Sequence, residues 1–241
     1  MKKLSIFLTS ILFAMDITPY FFSVKENYKE YYKGVIIDRD YNSFFDLSGV
    51  GIKVTNNLLK ASLEYASGDA IYDGATQNGT KLKVKENNIY IINALVSFRK
   101  PLSIDLGYRF WNRGKSAYEG DYGEKYYWSY IGASLSYRFN LYNFSFEPLI
   151  SYQYAIDPKL KILIGNNPTI DLGDTRGYKV EFPIYLKLRN LEFFAFYRYQ
   201  YWHINASNVY LININNQLFP IFEPESKTRN QYIGAGLNFS F

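Results

Sequence analysis

The chain has 241 residues, a formal net charge of +5, no cysteine and one histidine, and 20% of its residues are aromatic. This aromatic content excludes intrinsic disorder, and the lack of cysteine excludes disulfides and cysteine-based metal sites. The lack of any run of about 20 apolar residues excludes a polytopic helical membrane protein.

The first fifteen residues have the pattern of a targeting segment. Lys2 and Lys3 form a short basic start, and residues 4–15 are mostly apolar. A run of about a dozen apolar residues is too short to span a bilayer but fits the core of a secretory signal peptide. The alternative is a buried strand or a short core helix. We expect residues 1–15 to be a signal peptide and residues 16–241 to form one domain.

The rest of the chain alternates between two kinds of side chain with period two. In residues 127–139, for example, Ile131, Ala133 and Leu135 alternate with Gly132 and Ser134. Period two is typical of strands whose two faces meet different surroundings. Ten such strands are predicted, and the fold class is all-β: 17–32, 43–55, 58–67, 88–99, 101–112, 124–139, 143–156, 175–188, 191–203 and 228–241.

Strand length and connection length favour a membrane barrel over a soluble sandwich. Most runs sustain 10 or more residues, whereas soluble strands have about 5–6 and tilted transmembrane strands about 9–11. Short turns alternate with longer connections at 33–42, 68–86, 113–123, 157–174 and 204–227. The pattern predicts a closed antiparallel up-and-down transmembrane β-barrel of about ten strands, with long loops extracellular and both termini periplasmic. A soluble jelly roll is the alternative.

The C-terminal residues resemble the assembly signal of bacterial outer-membrane proteins. That signal ends in an aromatic residue preceded by alternating apolar residues, and its positions are matched here by Ile233, Leu237, Phe239 and Phe241. The resemblance implies the outer membrane of a Gram-negative-type bacterium as the location. It also implies the barrel-assembly machinery and outer-membrane lipid or lipopolysaccharide as partners.

Charged residues on the polar columns are candidates for the barrel lumen. The lumen-facing candidates are Lys25, Lys60, Glu64, Asp105, Arg109, Arg138, Glu147, Lys179, Glu181 and Arg198. Such charges pair across the lumen and plug it, or their basic excess leaves a conduit for small anions. The sequence therefore predicts a passive barrel, either a narrow solute channel or a structural surface protein.

A hydrolase at the barrel rim is the alternative from another functional class. Ten strands resemble the omptin proteases, whose active site pairs two aspartates with an Asp-x-His couple. His203 lies at a strand end, but Tyr201 stands where the couple needs Asp, and the spacing of Asp69 and Asp73 is not diagnostic. Lipid A deacylases use His-x-Ser-Asn, whereas here two extra residues separate His203 from Ser207. We therefore name no catalytic residue.

Cation binding by the loops is a further possibility. Acidic residues occur in the predicted loops at Asp38, Asp40, Asp157, Asp171 and Asp174, and carboxylate oxygens are ligands for Ca²⁺. The twelve-residue spacing of a Ca²⁺ loop is absent, so we expect these charges to be solvated. No metal and no cofactor is predicted.

Overall fold

The computed structural model describes residues 15–75, 79–98, 102–118, 121–189, 191–214 and 217–241. The first fourteen residues of the expected signal peptide lie outside these ranges, and the first strand begins at Asp16. No helix among the described residues is long and apolar enough to cross a membrane.

The described residues form eighteen strands. In the first half of the chain these are β1 (Asp16–Lys25), β2 (Asn27–Tyr32), β3 (Val35–Tyr41), β4 (Leu47–Thr55), β5 (Leu59–Ala75), β6 (Lys81–Phe98), β7 (Leu102–Asn112), β8 (Lys115–Ser116) and β9 (Glu124–Ser136). In the second half they are β10 (Phe139–Leu141), β11 (Phe144–Phe146), β12 (Leu149–Ile162), β13 (Thr169–Asp171), β14 (Thr175–Leu188), β15 (Leu191–Ile204), β16 (Tyr210–Ile214), β17 (Gln217–Ile221) and β18 (Glu225–Ser240).

These strands close into an antiparallel barrel. Within the described ranges the wall has ten positions, taken in order by β1–β2, β3–β4, β5, β6, β7, β9–β10, β11–β12, β14, β15 and β18. The first and last strands close the ring, from Asp16 opposite Ser240 to Lys25 opposite Gln231. Strands β16 and β17 form a separate hairpin. The predicted all-β, up-and-down barrel of ten strands is confirmed.

The outer face of the barrel is apolar. Phe21 is 75% exposed and Ile104 is 57% exposed, although each is paired with a neighbouring strand on both sides. Outward aromatic rings lie next to one another across neighbouring strands: the centroids of Tyr90 and Phe110 are 5.4 Å apart and those of Phe110 and Tyr127 are 6.3 Å apart. An apolar belt with aromatic rings along its edge is the surface that a transmembrane barrel presents to lipid.

The barrel has two different ends. One end, which we call the turn end, carries both termini and short connections such as residues 56–58. At the other end, which we call the hairpin end, the strands extend beyond the level of the Tyr90, Phe110 and Tyr127 rings. On the hairpin end several outward side chains are charged, and two ion pairs join them, Lys85 with Asp69 at 2.7 Å and Arg39 with Asp73 at 2.6 Å. The apolar belt therefore ends below this level, because hydrocarbon does not solvate such charges.

Several segments predicted as loops are strands. Val35–Tyr41 is strand β3, entered through a two-residue turn in which Lys33 and Gly34 both have positive φ (50° and 79°). Both residues of a type I′ hairpin turn need that conformation. The predicted 68–86 loop is largely filled by the ends of β5 and β6, and β12 continues to Ile162. These extensions escaped the pattern because both of their faces meet polar groups, so hydrophobic alternation is lost there.

Candidate functional site

The middle of the lumen is filled by side chains, which we call the plug. Inward side chains from several strands are shielded completely or almost completely from solvent: Arg109, Trp128, Gln153, Trp202, Asn230 and Tyr232. In a water-filled pore such side chains would be exposed to solvent. The cavity lined by Glu64, Lys179 and Arg198 measures about 30 Å³, which is room for one or two water molecules.

An ionic triad crosses the plug. The Arg198 guanidinium makes two contacts of 2.8 Å with the Glu64 carboxylate, and its Nε donates to Glu181 at 2.6 Å. Tyr20 Oη donates a further hydrogen bond of 2.7 Å to Glu64. Glu64 is on β5, Glu181 on β14 and Arg198 on β15, so the triad ties distant parts of the ring together across the lumen.

Asp105 and Arg109 continue the polar network along strand β7. Asp105 accepts hydrogen bonds of 3.1 Å from Ser134 and Ser151, which lie on β9 and β12. Arg109 Nη1 donates to Asn93 Oδ1 at 3.1 Å. These bonds link strands β6, β7, β9 and β12 inside the lumen, although Arg109 Nε and Nη2 are buried without a hydrogen-bond partner among the described residues.

Glycines opposite aromatic residues let the rings lie flat against the wall. Gly107 is paired in register with Tyr130, and a Cβ on Gly107 would lie 2.0 Å from the Tyr130 ring. Gly51 and Tyr20 form a second pair of this kind, with a closest approach of 2.3 Å. The absence of a side chain on one strand makes room for the ring from the next, and the ring fills the lumen.

The structure brings seven of the ten predicted lumen residues together in the middle of the barrel. They are Lys60, Glu64, Asp105, Arg109, Lys179, Glu181 and Arg198. Arg138 lies nearer the turn end, where it contacts Glu192 at 2.8 Å and covers the Tyr185 ring at 4.4 Å. Glu147 is half-buried at the same end, close to Tyr185.

The placement of Lys25 in the lumen is wrong. Lys25 is exposed and lies on the same face of β1 as the outward Phe21. Tyr20, Phe22 and Val24, on the other face, are buried. Aromatic and apolar residues occupy both faces of β1, because one face meets lipid and the other meets the aromatic plug. The sequence pattern of this strand therefore does not reveal which parity points inward.

A second cavity opens at the hairpin end, and we call it the vestibule. Its volume is about 690 Å³, and its mouth includes Tyr118, which is 44% exposed. The charged side chains that line it in the described chain are one base, Arg113, and six acids: Glu30, Asp38, Glu86, Asp121, Glu124 and Glu223. The vestibule is strongly acidic.

Arg113 holds several of these carboxylates together. Its Nη1 donates to Glu30 at 2.8 Å and to Glu124 at 2.7 Å, and its Nε contacts Asp40. The guanidinium lies 4.5 Å from the centroid of the Tyr28 ring. Tyr28, Trp111 and Tyr126 are fully buried below it and form an aromatic floor between the vestibule and the plug.

Crowding and burial change the protonation of the vestibule. Loss of hydration, with Asp40, Asp121 and Glu124 nearby, raises the pKa of Glu86 to about 9, although Arg113 opposes the rise. Burial likewise raises the pKa of Glu30 to about 7, again against the attraction of Arg113. One guanidinium cannot balance this many carboxylates, so some of them hold a proton at neutral pH.

Sequence reasoning missed the vestibule. Arg113 and Glu86 fall in segments predicted as loops, and residues far apart in the chain meet there. The alternation of Tyr28 and Glu30 with Lys29 and Tyr31 is the one local signal that strand β2 continues with an acidic inner face.

The groups considered for hydrolysis do not converge. His203 lies on the outer face of β15, like Tyr201, and is paired in register with Lys227. Its Nε2 atom lies 3.0 Å from the Glu225 carboxylate. Ser207 Oγ instead donates to the carbonyl of Asn208. Asp69 and Asp73 form the outward ion pairs with Lys85 and Arg39. No hydrogen bond joins His203 to any of these three residues in the described part of the chain.

Most of the acidic residues predicted as loop residues pair with basic side chains in the structure. Asp171 and Asp157 contact Lys159, Asp174 contacts Arg176, and Asp40 contacts Arg113. Across residues 15–241, apart from the undescribed gaps, no group of three or more His, Asp or Glu side chains is arranged to hold a metal ion.

Three residues of the C-terminal pattern lie on the outer face of β18, and Phe241 follows the strand directly. Ile233 and Leu237 are half-buried, and Phe239 and Phe241 are exposed. The Phe241 backbone N–H donates to the Met15 carbonyl at 3.1 Å, so the pattern ends beside the start of β1.

Comparison with known proteins supports the fold. No family model and no curated protein matches the sequence. Among solved structures, the chain is similar to the outer membrane protease OmpT from Escherichia coli (TM-score 0.51, 12% identity, covering 95% of this chain and 96% of that one). It is also matched to Neisserial surface protein A (0.39, 12%, 95% and 99%) and to the translocator domain of autotransporter NalP from Neisseria meningitidis (0.41, 9%, 100% and 95%). At 12% identity the similarity to OmpT concerns the barrel fold.

Proposed function

We propose that this chain is an outer-membrane barrel with a sealed lumen, and that it serves as a structural and surface-exposed protein of a Gram-negative-type envelope. The plug carries this proposal. Its side chains are buried, and the cavity within it has room for only one or two water molecules. A solute of more than a few atoms has no room to pass.

The outer surface supports a place in a membrane. The apolar belt and its aromatic edge suit lipid, and the charged outward side chains of the hairpin end suit headgroups and water. In this placement the turn end and both termini face the periplasm, and the hairpin end with its vestibule faces the outside. Outer-membrane lipid and the barrel-assembly machinery, through Ile233, Leu237, Phe239 and Phe241, are the partners that this placement implies.

The plug favours a structural role over the narrow channel that the sequence left open. A cationic or anionic solute would have to displace the triad of Arg198, Glu64 and Glu181, and separating buried charges is costly. The rim hydrolase is not favoured, because His203 faces outward and contacts Glu225, whereas Asp69, Asp73 and Ser207 are engaged elsewhere.

Conductance in a planar bilayer tests the proposal. The native chain is expected to give no discrete steps at any salt concentration. The double variant Glu64→Ala with Arg198→Ala removes two of the three charged side chains of the triad and should give discrete conductance steps. It therefore serves as the positive control, because its steps would show that the assay detects this barrel. Arg138→Ala, at the turn end, serves as the matched control and should remain silent. Regular steps from the native chain would overturn the sealed-lumen proposal.

A further inference from the structure

We propose that the vestibule is a binding site for a small organic polyamine, a molecule with two or more ammonium groups. The proposal goes beyond the sealed, structural barrel, and it rests on the shape and charge of the hairpin end. The first observation is volume. A cavity of about 690 Å³ falls in the range of small-molecule sites, roughly 300–1,000 Å³.

The second observation is an unpartnered carboxylate. Glu86 is only 6% exposed, lines the vestibule, and its Oε2 has no hydrogen-bond partner among the described residues. A buried acceptor without a partner is costly to the folded protein. An ammonium group placed in the vestibule would supply the missing donor.

The third observation is charge. Six acids and one base line the vestibule, and Arg113 already uses its guanidinium on Glu30, Asp40 and Glu124. The remaining negative charge attracts cations. Tyr72, Tyr118 and Tyr122 also line the cavity, and aromatic faces attract ammonium groups as well.

The basic charge of the plug, below the vestibule, opposes the passage of a cation beyond the vestibule. The cavity in the plug is lined by four bases and two acids: Lys53, Lys60, Lys179, Arg198, Glu64 and Glu181. A cation drawn into the vestibule meets a basic layer beneath the aromatic floor. The structure therefore favours retention of the cation at the hairpin end over passage through the barrel.

A polyamine fits the vestibule better than a metal ion does. The carboxylates are spread over strands β2, β3, β6 and β9 and two connecting segments, and no group of them is arranged as a metal site in the described residues. A chain with several ammonium groups can contact carboxylates that lie far apart, whereas one metal ion needs its ligands within about 2.6 Å of a single point.

Calorimetric titration of the full chain, folded in detergent at low ionic strength, tests the site with spermine as the probe. Saturable binding is expected. Glu86→Gln keeps the shape of the side chain and removes the carboxyl group that would ionise beside a bound ammonium group, and should weaken binding by about tenfold. Asp69→Asn removes an acid from the outer face of the same end, where Asp69 pairs with Lys85, and should leave binding within about twofold of the native value.

Proton release gives a second measurement that does not depend on either variant. Because spermine favours the ionised carboxylates, binding should release protons and tighten between pH 6 and pH 8. If Glu86→Gln does not fold, Asp38→Asn on strand β3, which also lines the vestibule, takes its place. Absence of saturable binding, equal weakening by Asp69→Asn, or binding of Mg²⁺ alone would each overturn the proposal. None of these outcomes bears on conductance, so the sealed-lumen proposal is tested separately.

Discussion

The plug and the vestibule are two buried, charged regions of one barrel, and they handle charge in opposite ways. In the plug, Arg198 is matched by Glu64 and Glu181, and basic side chains are in excess. In the vestibule, Arg113 faces a surplus of carboxylates, and Glu86 is left with an unpartnered oxygen. The difference between the regions is the sign of the excess charge and the open space around it: the plug cavity measures about 30 Å³ and the vestibule about 690 Å³.

Strand β7 connects the two regions. Asp105 and Arg109 point into the plug, Trp111 contributes to the aromatic floor, and Arg113 follows the strand in the vestibule. The same period-two spacing serves both regions, because every second residue of a barrel strand faces the interior. What differs is the depth at which each residue sits and which charges the other strands bring to that depth.

Arg198→Ala breaks the plug and has the largest expected effect. The change leaves Glu64 and Glu181 buried without their shared guanidinium, and should lower the free energy of unfolding by about 3–5 kcal/mol. The temperature at which the folded band is lost on a heat-modifiability gel measures the change. Arg138→Ala removes a 37%-exposed partner of Glu192 and should cost less than about 1 kcal/mol. Equal losses in the two variants would contradict the central role of the triad.

Gly107→Ala tests the packing of the plug without touching its charges. The new methyl group would collide with the Tyr130 ring, and overpacking of this kind costs about 1–3 kcal/mol. In a Tyr130→Ala background the same change should cost much less, because the ring is no longer there. The two free energies of unfolding form a double-mutant cycle, and a coupling near zero would show that the ring does not depend on this glycine.

Glu86→Gln tests the vestibule through pH, and its effect is the smallest when it is taken over a single pH unit. The folded protein raises the pKa of Glu86 from 4.5 to about 9, so the folded state binds this proton more tightly than the unfolded state does. Stability should therefore fall as pH rises between 4.5 and 9, by at most about 1.4 kcal/mol from this group between pH 6 and pH 7. Glu86→Gln should flatten that fall in melting experiments. An unchanged slope would show that Glu86 ionises freely in the native vestibule.

Alternation made the wall of the barrel predictable, since each wall strand separates lipid from the lumen. Each of the ten predicted strands overlaps a strand of the structure. The predicted 43–55 strand corresponds to β4, and the strand before it, β3, lies in a segment that was predicted as a loop. The extensions of β5 and β6 were missed, because water lies outside them and polar groups lie inside. Lys25 was misplaced because β1 has large apolar side chains on both faces.

The sequence by itself determined the all-β class, the ring of ten strands and the inward parity of most charged lumen residues, because these depend on local periodicity. The tertiary structure alone decided whether those charges leave a channel. Arg198 meets Glu64 across 134 positions of sequence and Arg113 meets Asp40 across 73. Pairings over such separations depend on strand register and barrel closure. For that reason the sealed plug and the acidic vestibule emerge only when the ring is complete.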